Sequence, residues 1–114
     1  MMTRLWAVAA LALATLMTAT FAIAAGPNPN RGKTLFRGNC KTCHQPKGEA
    51  KDLTPLTKTQ AQWTRAFKAD VPKMVPRVAQ KTGKTLTPAE IADMEFFLVS
   101  HAADSDQPET CGIK

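Results

Sequence analysis

The chain has 114 residues, with 15 Lys and Arg against 9 Asp and Glu and a pI near 9.6. That length suits one small domain, and although the balance is basic, no aromatic residues interleave with the basic ones as a nucleic-acid interface would require. Only 6% of residues are aromatic, which leaves little material for a conventional core.

The first stretch reads as a targeting segment. Met1 to Arg4 carries a positive charge, Leu5 to Ile23 is apolar, and Ala22-Ile23-Ala24 places small residues at cleavage spacing. Residues 1–25 are therefore expected to be a secretory signal peptide and 26–30 (Gly-Pro-Asn-Pro-Asn) a linker. The competing reading is an uncleaved membrane anchor, because the apolar run approaches the ~20 residues that span a bilayer. Either way, the remainder is expected outside the cytoplasm, in the periplasm if the signal is cleaved. About 90 residues then remain, a size at which a small core usually needs a staple.

A helix is expected from about Asn30, with Leu35 and Phe36 as its apolar edge. Gly32, one turn before Phe36, would let another helix approach closely. The helix leads into Cys40-Lys41-Thr42-Cys43-His44. Two thiols three apart, with an imidazole directly after the second, form the pattern of covalent c-type haem attachment. On a helical segment, positions i, i+3 and i+4 share a face, so both sulfurs and the ring can meet one flat ligand. Cys40 and Cys43 would bond the porphyrin edge while His44 coordinates iron. A dithiol redox site should sit in a βαβ pattern, which is lacking here. Zinc needs about four ligands, and the chain adds only His101 and Cys111.

Gln45 to Glu49 are turn formers, and Lys51 to Lys58 should be loop with one short turn. Thr59 to Asp70 has helical periodicity through Ala61, Trp63, Ala66 and Phe67. The Trp63 N–H could serve a haem propionate or a backbone carbonyl, and plain core packing is the alternative. In Asp70-Val71-Pro72-Lys73-Met74-Val75-Pro76-Arg77 a Met stands between two prolines, expected to stiffen an extended loop and hold Met74 as the second axial iron ligand. The alternatives are a loop Met filling a gap and, as ligand, His101; Met94 falls in a helical apolar stripe. Arg77, Lys81 and Lys84 should follow in a polar link. Thr87, Pro88 and Glu90 then announce a capped helix, with Ile91, Met94, Phe97 and Leu98 on its apolar face, widened by Phe96. It should end near His101, with Ala102 and Ala103 fraying into an acidic tail.

This order of helix, attachment motif, middle helix, proline-flanked Met and capped last helix resembles small single-haem cytochromes c with an N-terminal attachment site, over about Asn30 to His101. Many such proteins have Met directly followed by Pro, where this chain has Met74-Val75-Pro76. The resemblance implies an all-α fold of three to four helices packed around one covalently attached haem c and its iron. It also implies that the first and last helices cross near Gly32 and Phe36, and that electrons pass through an exposed haem edge. The domain is expected over 31–103 and the acidic tail over 104–114. Cys111 in that tail has no internal partner, so a disulfide-linked dimer and a neutral thiol are both open.

Residues 31–84 hold thirteen basic side chains against three acidic ones, and residues 85–114 one against six. A basic surface through Lys41, Lys47 and Lys73 would steer an acidic patch on a redox partner. With His and Met both on iron, no position is open for substrate, so a one-electron carrier is expected and not an enzyme. The rivals are a sensor or peroxidase-like protein with an open distal site, and a haem subunit of a larger membrane-associated respiratory complex.

Overall fold

The structure, a computed structural model, describes residues 26–110. The signal-peptide reading of 1–25 and the role of Cys111 lie outside these residues. Four α-helices follow one another: α1 (Pro29–Gly38), α2 (Gln60–Ala69), α3 (Val71–Thr82) and α4 (Pro88–Ser100), with single 3-10 turns at Cys40–Thr42 and Pro55–Thr57 and no strand among the described residues. The fold is all-α.

Helix α1 starts slightly earlier than its sequence suggests. Asn28 is the cap: its side chain accepts from the N–H groups of Asn30 and Arg31, and Pro29 occupies the first turn, where a missing N–H costs nothing. The buried positions are Gly32 and Phe36, one turn apart. A β-carbon on Gly32 would lie 2.0 Å from the Asp93 carbonyl oxygen of α4, so only glycine permits this crossing. The same junction is tied electrostatically. Asp93, 6% exposed, accepts from the Asn28 N–H at 2.9 Å and pairs with Arg31 Nε at 2.5 Å, which satisfies the carboxylate of a residue that would be costly to bury alone.

Around the crossing Phe36 meets Phe97 and Trp63 with ring centroids 6.5 Å apart in each pair, and Met94, Leu98 and Ala102 complete the buried cluster. Helix α2 enters it through Trp63, Ala66 and Phe67, while Ala61 is exposed. Its Thr59 and Gln62 form a reciprocal capping box. The Trp63 N–H donates to the Pro55 carbonyl at 2.9 Å, so a backbone carbonyl takes the indole donor and the ring packs in the core. Helix α4 carries the expected Thr87–Glu90 capping box with Pro88 in its first turn.

Three expectations need correction. The segment around Met74 is not an extended loop but the first half of α3. Pro72 sits in the first turn, where the lost N–H had no intrahelical acceptor. Pro76 removes only the donor to the Pro72 carbonyl, and because both prolines are exposed water can donate to that carbonyl instead. Arg77 and Lys81 accordingly lie on α3, which ends at Gly83 with φ 75, a left-handed cap suited to glycine. Second, Ala102 is not frayed but wholly buried. The chain after α4 folds back: the Ala103 N–H donates to the Lys58 carbonyl, Asp104 accepts from the Gln60 N–H at 2.7 Å, and Glu109 pairs with Lys33. Third, Phe96 is 44% exposed and does not widen the buried face of α4. Among the described residues no helix is long and apolar enough to cross a membrane.

Candidate haem site

A cleft of about 410 Å³ opens between the Cys40–His44 segment and α3. Cys40, Cys43 and His44 all line it, and so does Met74. Thus the four side chains singled out from the sequence face one space, even though Met74 reaches it from a helix. His101 is not among the lining residues; its Nδ1 meets the Gln107 carbonyl at 2.6 Å and its ring lies 5.2 Å from that of Phe97.

The motif reaches the cleft because α1 does not simply continue. After Gly38 the chain tightens at Asn39 into the 3-10 turn Cys40–Thr42. The buried Asn39 side chain donates to the Leu35 carbonyl at 2.8 Å, and the Asn39 backbone carbonyl accepts from the Thr42 hydroxyl. Both cysteines are free thiols. Burial, and secondarily the neighbouring Cys43, pushes the Cys40 thiol up to about 11. The return past His44 is a tight turn in which Lys47 adopts φ 61 and a β-carbon on Gly48 would lie 2.4 Å from the Cys43 carbonyl oxygen.

The His44 ring is oriented by the backbone. Its Nδ1 lies 2.8 Å from the Lys51 carbonyl oxygen, an acceptor that requires the proton on Nδ1 and leaves Nε2 with its lone pair for a metal. The opposite wall is apolar. Val71, Met74, Val75 and Val78 recur at helical spacing on the cleft side of α3, and Leu86, 5% exposed, closes the base. Yet α3 buries none of its twelve residues. An amphipathic helix whose apolar stripe is left half-covered calls for an apolar body against it.

At the cleft mouth Lys81 of α3 pairs with Glu49. That hydrogen bond, reinforced by charge, holds the Glu49 carboxyl below its ordinary range and Lys81 above its own. Arg77 lines the same rim. Lys41, expected on a docking surface, is instead 5% exposed, its amine bonded to Asp52 and the Leu53 carbonyl.

Two free thiols, an imidazole with one nitrogen open and an apolar wall suit a large flat macrocycle carrying a metal. Among the described residues no three His, Cys, Asp or Glu side chains gather as a metal centre without such a group. What the sequence concealed were Val71, Val75, Val78 and Leu86. The valines' i, i+4, i+7 spacing was legible, but the two prolines argued against a helix; the Lys51 carbonyl carries no side-chain signal at all.

Fold and site together define a small all-helical domain assembled around a covalently held haem. The chain belongs to the cytochrome c family: the family model Cytochrome c matches residues 29–102, and the matched span takes in α1 to α4 and the whole cleft. Comparison with curated proteins and with solved structures gives no match. As a family member the chain binds haem c covalently with its iron, and is an electron-transfer protein that works with redox partner proteins.

Proposed function

We propose that this protein is a periplasmic one-electron carrier in which Cys40 and Cys43 hold the haem as thioethers and His44 and Met74 are the axial ligands of its iron. The observation that carries this reading is the Lys51 carbonyl on His44 Nδ1, which directs the other ring nitrogen to coordination. When bound, the haem supplies an iron that alternates between Fe(II) and Fe(III).

The protein's own residues do the rest. Cys40 and Cys43, both free thiols, would hold the haem through thioether bonds. Val71, Val75, Val78 and Leu86 exclude water from one side of the cleft, which penalises the more highly charged oxidised centre and favours the reduced one. A Met74 thioether adds to that preference. Residues 1–25 export the chain and 31–103 form the working domain. Lys47, Lys73 and Arg77, all exposed, steer an acidic partner surface; Lys41, being buried, takes no part in docking.

The test is the absorption spectrum of the purified protein in both redox states, beside Met74→Ala. A low-spin spectrum in the wild type, with a lower potential and altered ligand-field bands in the variant, is expected. Unchanged spectra and potential would remove Met74 from the iron and favour a vacant distal site suited to a sensor or peroxidase-like protein.

A further inference from the structure

Between the two attachment cysteines stands a lysine whose side chain is only 6% exposed. Taking an ammonium out of water costs several kcal/mol unless it is paired and hydrogen-bonded, and Lys41 is both: Nζ donates to Asp52 Oδ1 at 2.5 Å and to the Leu53 carbonyl at 2.9 Å. Those partners belong to the segment that holds His44. The Lys51 carbonyl lies 2.8 Å from His44 Nδ1, and the Leu53 N–H donates to the His44 carbonyl at 3.2 Å. Residues 51–54 belong to no helix or strand, so their register against the attachment motif depends on such bonds.

We propose that Lys41 is a positioning residue for His44: anchored on Asp52 and Leu53, it keeps the Lys51 carbonyl seated on the ring nitrogen. The inference rests on His44 being an iron ligand. A carbonyl held on Nδ1–H makes the imidazole a stronger donor, which favours Fe(III) and lowers the potential. Releasing the clamp therefore raises the potential. The lysine's charge acts in the other direction, because removing a nearby cation by itself favours Fe(III). The two roles are thus separable by sign.

The experiment uses the haem-loaded protein with Lys41→Met and, as a milder change that keeps a hydrogen-bond acceptor, Asp52→Asn. The readouts are the reduction potential of Lys41→Met and, for both variants, solvent exchange of the His44 Nδ1 proton by NMR in the reduced state. Lys41→Met should raise the potential and speed exchange about tenfold, the equivalent of roughly one lost hydrogen bond of restraint; Asp52→Asn should speed exchange less. A lowered or unchanged potential with unaltered exchange in Lys41→Met would reduce the lysine to a buried charge and overturn the proposal. Should Lys41→Met fail to mature, unaltered exchange in Asp52→Asn overturns it equally. If the His44 ring signals of the oxidised wild type lack the large displacement of an iron ligand, both the ligand assignment and this proposal fall. A displaced signal with unaltered exchange removes this proposal alone.

Discussion

Where α1 crosses α4, Phe36, Met94, Phe97 and Leu98 are each 1% exposed or less; along α3, from Val71 to Thr82, no residue is buried. The first region is closed by the chain's own atoms: a glycine against a backbone carbonyl, a ring cluster, and Asp93 bridging the start of α1. The second offers its apolar stripe to the cleft, where the proposed haem would cover it. The polypeptide thus supplies one half of a core by itself and leaves the other half to its cofactor. This division answers the scarcity of aromatic residues in a domain of this size.

The sharpest way to break the contrast is Gly32→Ala. The added carbon would meet backbone at 2.0 Å, which no side-chain rotation relieves. A cost of about 3 kcal/mol or more is expected, at or beyond the usual range for overpacking, enough to abolish cooperative unfolding of protein made without haem, as followed by circular dichroism.

A matched pair of truncations compares the two regions directly. Met94→Ala should cost about 2–5 kcal/mol whether or not haem is attached. Val78→Ala should cost no more than about 0.5 kcal/mol in protein made without haem, where its surroundings are half open, and measurably more once haem covers it. Denaturant unfolding of the four samples checks this. Equal losses for Val78→Ala with and without haem would mean that α3 does not lean on the cofactor.

The smallest effect concerns the entrance to α4. A hydrogen bond from Lys84, followed by the Thr87 backbone N–H, lowers the Glu90 carboxyl to about 2 from an ordinary 4.5. A folded-state value below the unfolded one stabilises the protein above the unfolded value, and the gain disappears as pH falls toward the folded one. Glu90→Gln keeps an acceptor for the capping box but not the charge. The difference in Tm between wild type and variant should therefore be constant above pH 4.5 and shrink between 4.5 and 2.

Legibility followed the range of the interaction. The Thr87–Glu90 box, Gly32 as a contact point and the grouping of Cys40, Cys43 and His44 were all readable because each is a pattern within about one helical turn. The form of α3 was misread because Pro72 and Pro76 speak locally for an extended chain, whereas Val71, Met74, Val75 and Val78 speak for a helix only if an apolar surface awaits them. Likewise Lys41 looked like a surface charge. Its acceptors lie eleven and twelve residues away, and no neighbour in the motif reveals them.

By itself, the order of residues determined that a haem is attached covalently, that the domain is helical, and where three of its helices lie, since capping, periodicity and covalent spacing are settled between near neighbours. Only the tertiary structure decided that Met74 rides a helix, that Ala102 is buried, and that a backbone carbonyl orients His44. Burial and hydrogen-bond partnership depend on surfaces brought together from distant parts of the chain, and in the case of α3 on a surface that the proposed haem would provide.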